Sequence, residues 1–275
     1  MTSAITESVL PQSWERVLSR ARGVPPLFVP DALRSSGLVP GGSFYRAPEA
    51  KAFRARICAQ LESAPHAVLV TGVVPEDAAA ASVVIGSLLG NLDYAPSPTL
   101  GGAISEVVSA PEVPQDQAWH TDSTPWIVPN RWTVLGMLEP DQGIGDSATA
   151  ILPWDLVFSG WPEAAPVAHE LEGLAFEWRA KFPLLESLRA PIFGSLRRWF
   201  RPCLETCLSN PSTGGFAALS ALDRRLQTVQ GFAEATIRAS TVLVLDNSRV
   251  VHRGPQVRRT SSRRLIRVKV AGVPE

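Results

Sequence analysis

Lysine is scarce: the 275-residue chain holds three, Lys51, Lys181 and Lys269. Cysteine is as scarce, with Cys58, Cys203 and Cys207, and histidine nearly so, with His66, His120, His169 and His252. Each scarcity excludes something. An odd, sparse set of thiols builds no disulfide framework and fits a reducing cytoplasm. Cys203 and Cys207 lie four apart, but no second thiol pair completes a zinc site, so they read as ordinary part-buried thiols. A protein of long helices would hold more Lys and Glu and far fewer than the 24 prolines present. Net charge is also lacking: 26 basic residues balance 26 acidic ones. That leaves no electrostatic footprint for nucleic acid or an anionic membrane. Long apolar runs are missing too. The most apolar stretch, Ala78 to Gly90, is 13 residues, too short to span a bilayer and better suited to a buried helix. Met1 to Arg22 has no apolar core and carries Glu7 and Glu15, so it does not read as a secretory signal, and a cytoplasmic location is expected.

What is present suits a folded, β-rich chain. Hydrophobic residues make up 45%, enough for a full core in a single domain spanning 1–275. Residues 1–45 read as an N-terminal extension of Pro/Gly-rich loop with a short helix around Ser13 to Arg22. The spacing of Ala50, Phe53, Ile57 and Leu61 predicts a helix from Glu49 to Ser63. A second helix is expected over Pro75 to Gly90, with proline at its start, and a third over Phe216 to Gln230. Strands are expected over His66 to Gly72, Ala103 to Ser109, Arg131 to Leu138, Thr241 to Leu245 and Leu265 to Val270, with another beginning at Thr149. Pro162 to Phe200 is a long excursion without a strong pattern, a possible lid. No Gly-rich phosphate loop follows a strand, and alternating βα units are not sustained. The expected class is α+β with a mainly β core, a sandwich or barrel with flanking helices.

Because histidines are few, their contexts carry information. His120 stands in Trp119-His120-Thr121-Asp122, and in extended chain residues i and i+2 face the same side. An imidazole and a carboxylate can therefore meet at one point. His252 follows the strand-turn unit Val242 to Val251 and could bring a third ligand from elsewhere. Two histidines and one carboxylate on one face of a metal leave open positions, the arrangement of non-haem Fe(II) oxygen chemistry. Arg263 and Arg267 are four apart at the start of the last strand, so both guanidiniums share a face and can pair with carboxylates. Thr149, in Gly145-Asp146-Ser147-Ala148-Thr149, offers a hydroxyl donor. His66 reads as a satisfied core or edge histidine, His169 as solvated, and Arg249, Arg253, Arg258 and Arg259 as a solvated or salt-bridged loop cluster. Trp119 and Trp126 could wall a pocket beside the His-Asp pair, and Glu106 could take a substrate amine. Asp246 and Asn247 are expected to make the turn that aims His252 and to hydrogen-bond its free nitrogen.

Together WHTD, GDSAT, LDNSRVVHRGP and SRRLIRVKV resemble the Fe(II)/2-oxoglutarate-dependent dioxygenases of the taurine dioxygenase and clavaminate synthase-like superfamily. The resemblance runs from about Ala103 to Val270. It implies a double-stranded β-helix, or jelly roll, with Fe(II) held by His120, Asp122 and His252. It further implies that Arg263 binds the distal carboxylate of 2-oxoglutarate with Thr149 beside it, and that Arg267 supports the site or meets a substrate anion. Ser147 is the alternative to Thr149, and Arg264 replaces Arg263 if the strand is offset by one. The implied activity uses O2 to hydroxylate, desaturate or cyclise a small amino-acid-like or biosynthetic intermediate, with 2-oxoglutarate converted to succinate and CO2. In related halogenases a small residue replaces the carboxylate, so Asp122 speaks against halogenation. The rival readings are a jelly-roll binding protein with a vestigial site and a zinc-dependent hydrolase or isomerase using the same ligands.

Overall fold

The structure is a computed structural model that describes residues 4–38, 42–92, 103–108, 118–140, 148–178, 188–194, 197–201, 213–255 and 261–271. Ser147, Cys203, Cys207, Arg258 and Arg259, with parts of the excursion 162–200, lie outside them.

Eleven strands are described: β1 Thr6–Val9, β2 Ala67–Thr71, β3 Ile104–Val108, β4 Trp132–Glu139, β5 Ala148–Pro153, β6 Phe176–Trp178, β7 Leu188–Ala190, β8 Ala233–Thr236, β9 Val242–Asp246, β10 Val250–Arg253 and β11 Arg264–Val270. The helices are α1 Glu15–Leu18, α2 Val29–Ser35, α3 Ser43–Arg46, α4 Pro48–Glu62, α5 Ala78–Leu89, α6 Trp154–Phe158, α7 Ala164–Gly173 and α8 Thr213–Thr228. Six strands form one sheet in the order β1-β2-β9-β4-β11-β3, and β10-β5-β8 form a second. The pair β1-β2 is parallel and the other pairs of these two sheets are antiparallel. A small hairpin, β6-β7, stands apart from both sheets.

Side-chain alternation sorts the large sheet into two faces. On β9, Val242 and Val244 join one core while Leu243 and Leu245 join another. On β4, Trp132 and Val134 go with the first, Leu135 and Met137 with the second. The first core lies under helices α2, α4 and α5. The second is the space between the sheets, filled from the small sheet by Ile151, Ala235 and Val250. Beyond the small sheet, α6, α7 and α8 bury Trp154, Leu171, Leu219 and Leu222 in a third core. The protein is thus helices, sheet, sheet, helices.

Local chemistry explains the elements that position the site. Helix α4 opens on Pro48, where a missing N–H costs nothing, and buries Ala50, Phe53, Ile57 and Leu61 along one stripe. Helix α5 is apolar on nearly every side because it is covered on nearly every side. It lies so close to β4 that a Cβ at Gly136 would come within 2.3 Å of Ser82 Oγ. Only a residue without a side chain fits there.

The helix expected over 13–22 is shorter, with α1 flanked by 3-10 turns at Gln12–Trp14 and Ser19–Ala21. Leu10, Trp14, Leu18, Val29 and Leu33 of the N-terminal segment are buried in the first core. Strand β1 is too polar to announce itself, and its extended form comes from pairing with β2. No described helix is long and apolar enough to cross a membrane.

Candidate metal centre

His120 and His252 meet through their backbones. Each N–H donates to the other's carbonyl, at 3.0 and 2.9 Å, in an isolated antiparallel bridge. Directly opposed residues of an antiparallel pair put their side chains on the same side. The two rings accordingly lie 4.3 Å apart, centroid to centroid. His252 is carried on β10, opposite Ile151 of β5, and both face the inter-sheet space. The turn Asp246 to Arg249 delivers it: the Arg249 N–H donates to the Asp246 carbonyl at 3.0 Å, and the Ser248 N–H donates to the Asp246 carboxylate at 3.1 Å.

Asp122 reaches the histidines from the residue after next. Ligand atoms of His120, Asp122 and His252 all lie within 4.8 Å of one another. Nε2 of His252 is 3.8 Å from Oδ2 of Asp122, beyond hydrogen-bond reach. Immediately afterwards the chain reverses at Ser123, whose φ of 57° is left-handed, and the Trp126 N–H closes the turn on the Ser123 carbonyl at 3.0 Å. Arg198 clamps this turn, donating to the carbonyls of Thr124, Trp126 and Ile127 at 2.8, 2.6 and 2.7 Å. Its neighbour Trp199 exchanges bonds with Thr121, and Phe200 bridges His120. The far end of the excursion 162–200 is therefore fixed to the ligand-bearing chain.

Each Asp122 oxygen already takes one donor. Arg267 Nη1 donates to Oδ1 at 2.8 Å, and Thr133 Oγ1 donates to Oδ2 at 2.7 Å. Asn130 donates in turn to Thr133 Oγ1 at 2.8 Å. Asn247 accepts from the Asp122 N–H at 2.7 Å and donates to the carbonyls of Asp122 and Asn130 at 3.3 and 2.9 Å. The expected bond from this turn to the free nitrogen of His252 is replaced by a clasp on the Asp122 backbone. Nδ1 of His252 is buried with no hydrogen-bond partner among the described residues.

Burial would raise the Asp122 carboxyl, but Arg267 first, then His252, Lys269 and His120, outweigh it and hold it well below the usual carboxylate range. Burial lowers both histidines: His252 to about 3, with His120 adding to the effect, and His120 against the opposing pull of Asp122. Both imidazoles are neutral at neutral pH. Nδ1 of His120 lies 2.9 Å from the Ala118 carbonyl, which can only accept, so the proton is on Nδ1 and the Nε2 lone pair is free. One carboxylate and two neutral imidazoles, buried and oriented by their neighbours, fit a divalent transition metal such as Fe(II) or Zn(II).

The arginines divide by strand parity. Leu265 of β11 joins the inter-sheet core, Ile266 and Val268 the helix-covered one. Arg263, 7% exposed, and Arg267 follow the parity of Leu265. Arg264 takes the opposite face, where it pairs with Glu106 at 2.8 Å and Glu139 at 3.6 Å. Glu106 is thereby turned away from the centre and engaged by Arg264, so the structure does not bring it to the site. Thr149 is 2% exposed and shares the parity of Ile151, facing the inter-sheet space. The Trp126 ring lies 4.5 Å from Nζ of Lys269. His66 is buried with Nδ1 3.0 Å from the Leu61 carbonyl, and His169 is exposed on α7. Arg253 stacks over Trp119 at 4.5 Å and Arg249 meets Asp246 and the Glu62 carbonyl.

Sequence reasoning missed Thr133, Asn130, Arg198 and Lys269. Lys269 could have been found, because 263, 267 and 269 share one parity. The others come from separate segments and carry no spacing signal.

No protein-family model matches the chain, nor does any curated protein. Solved structures do. An asparagine oxygenase in complex with Fe(II), 2S,3S-3-hydroxyasparagine and succinate superposes with a TM-score of 0.70 at 16% identity, covering 96% of this chain and 93% of that one. A second structure of asparagine oxygenase, AsnO, gives 0.72 at 15% identity over 97% and 93%. The non-heme iron oxygenase OrfP in complex with Fe and alpha-ketoglutaric acid gives 0.64 at 16% identity over 96% and 94%. The chain shares its fold, nearly end to end, with these non-haem iron oxygenases.

Proposed function

We propose that the protein is an Fe(II)- and 2-oxoglutarate-dependent oxygenase that hydroxylates, desaturates or cyclises a small amino-acid-like substrate, releasing succinate and CO2. Its two sheets then correspond to the halves of a double-stranded β-helix. The observation that carries this reading is the convergence of His120, Asp122 and His252 between those sheets. The fold neighbours support it: asparagine oxygenase binds Fe(II), hydroxyasparagine and succinate, and OrfP binds Fe and alpha-ketoglutaric acid.

His120 and His252 would hold iron through nitrogens kept neutral by burial, and Asp122 through an oxygen kept ionised by Arg267. Bound Fe(II) supplies the oxygen chemistry that no side chain can perform. Thr133 and Arg267 would hold the carboxylate oriented toward the metal. Arg263 would receive the far carboxylate of 2-oxoglutarate in a charge-assisted pair, with the Thr149 hydroxyl adding a donor. Trp126, a largely buried residue of the turn after Asp122, would help to wall the reacting centre.

The test is anaerobic addition of Fe(II) and 2-oxoglutarate. A weak visible charge-transfer band, absent in H120A, is expected, followed by substrate-triggered succinate on admitting O2. Activity with zinc and no need for O2 would instead establish a hydrolase or isomerase and sink the oxygenase reading.

A further inference from the structure

Lys269 is the second cation on the inner face of β11, one side-chain repeat beyond Arg267. It is 6% exposed. Its register partner on β4 is Thr133, the residue that holds Asp122. Nζ lies over the Trp126 ring at 4.5 Å, and among the described residues it makes no hydrogen bond or ion pair. The one acid whose charge it feels is Asp122, which is already bonded to Arg267 and is the carboxylate of the metal set. Burial, then Arg267, pulls its ammonium down to about 8, and Asp122 opposes the shift.

An ammonium whose one described neighbour is an aromatic face is short of hydrogen-bond acceptors and of compensating charge. The shortage deepens once a divalent metal occupies the triad, because Asp122 then serves three cations. Beside it, Arg267 is 27% exposed at its side chain, so the region is open to a ligand. Outer-face cations on the same strand are not left this way: Arg264 has both Glu106 and Glu139.

We infer that Lys269 is the anchor for an anionic side group of the substrate, so that the protein acts on an acidic amino-acid-like molecule bearing a carboxylate or phosphate that lies against Trp126. This rests on the proposed function for its chemistry, but the binding it requires can be read without turnover.

The experiment is isothermal titration of the full-length protein, with and without Fe(II) under anaerobic conditions. The probes are L-aspartate, L-glutamate and O-phospho-L-serine, each against its neutral counterpart L-asparagine, L-glutamine or L-serine. At least one acidic probe should bind about tenfold or more tighter than its counterpart. K269M should erase that preference while leaving the neutral probes within about threefold, and K269R should restore most of it. Acidic probes binding no tighter than their counterparts overturn the inference. So does K269M that weakens 2-oxoglutarate but not the acidic probes, which would make Lys269 a co-substrate ligand. K269M that lowers the melting temperature and weakens both probe classes equally would show a structural cation and overturn it too. Loss of the Fe(II)/2-oxoglutarate band with the acid preference intact would defeat the oxygenase reading alone.

Discussion

The two faces of β11 are built from one run of seven residues and do opposite jobs. The face toward the helices carries Ile266, Val268 and Val270, all fully buried, with Arg264 at its edge satisfied by two glutamates. The face toward the small sheet carries Leu265, then Arg267 and Lys269, cations brought into the interior beside a carboxylate. One face is a packing surface in which every group is matched within the chain. The other concentrates charge that, among the described residues, Asp122 alone faces. Stability is drawn from the first and chemistry from the second, and the pleat keeps them apart at a distance of one peptide.

That contrast can be broken in four places. Asp122→Ala removes the charge the inner face is organised around; Fe(II) affinity should fall more than about 100-fold in an anaerobic titration, because two neutral imidazoles remain. An unchanged affinity would show that the metal set lies elsewhere. Ile266→Ala, one face over, should cost about 3 kcal/mol of unfolding free energy in denaturant melts while metal affinity stays within error. A parallel loss of metal would mean the two faces are coupled. Thr133→Val deletes only the hydroxyl bonded to Asp122. It should weaken metal binding about tenfold and stability by about 1 kcal/mol. Arg264→Ala, at the exposed edge, should move stability by less than about 0.5 kcal/mol and leave 2-oxoglutarate binding as it was. A large effect on 2-oxoglutarate there would reverse the assignment of Arg263.

The same strand marks how far the sequence could be read. Alternation alone put Arg263 and Arg267 on one face, and it equally placed Lys269 there, although a lone lysine draws less attention than an arginine pair. Apolar periodicity located α4, β2, β4 and β9 within a residue or two and α5 within three, because each is buried on a regular stripe or on both sides. Glu106 marks the limit. Its strand was expected, but the side it faces depends on register with β11, where it stands opposite Ile266 on the helix-covered face. Asn247 is another limit: the turn was readable, but its partner, Asp122, is 125 positions away.

Local order was therefore written in the chain itself: period two gave strand faces, period 3.6 gave helix stripes, and a His-x-Asp pair in extended backbone gave two groups on one side. Association across long separations was not. The backbone bridge of His120 to His252, the Arg198 clamp on the turn after Asp122 and the seat of Lys269 over Trp126 join segments that are distant in the chain. Spacing within a segment is covalent geometry, whereas proximity between segments is settled only when the whole core packs.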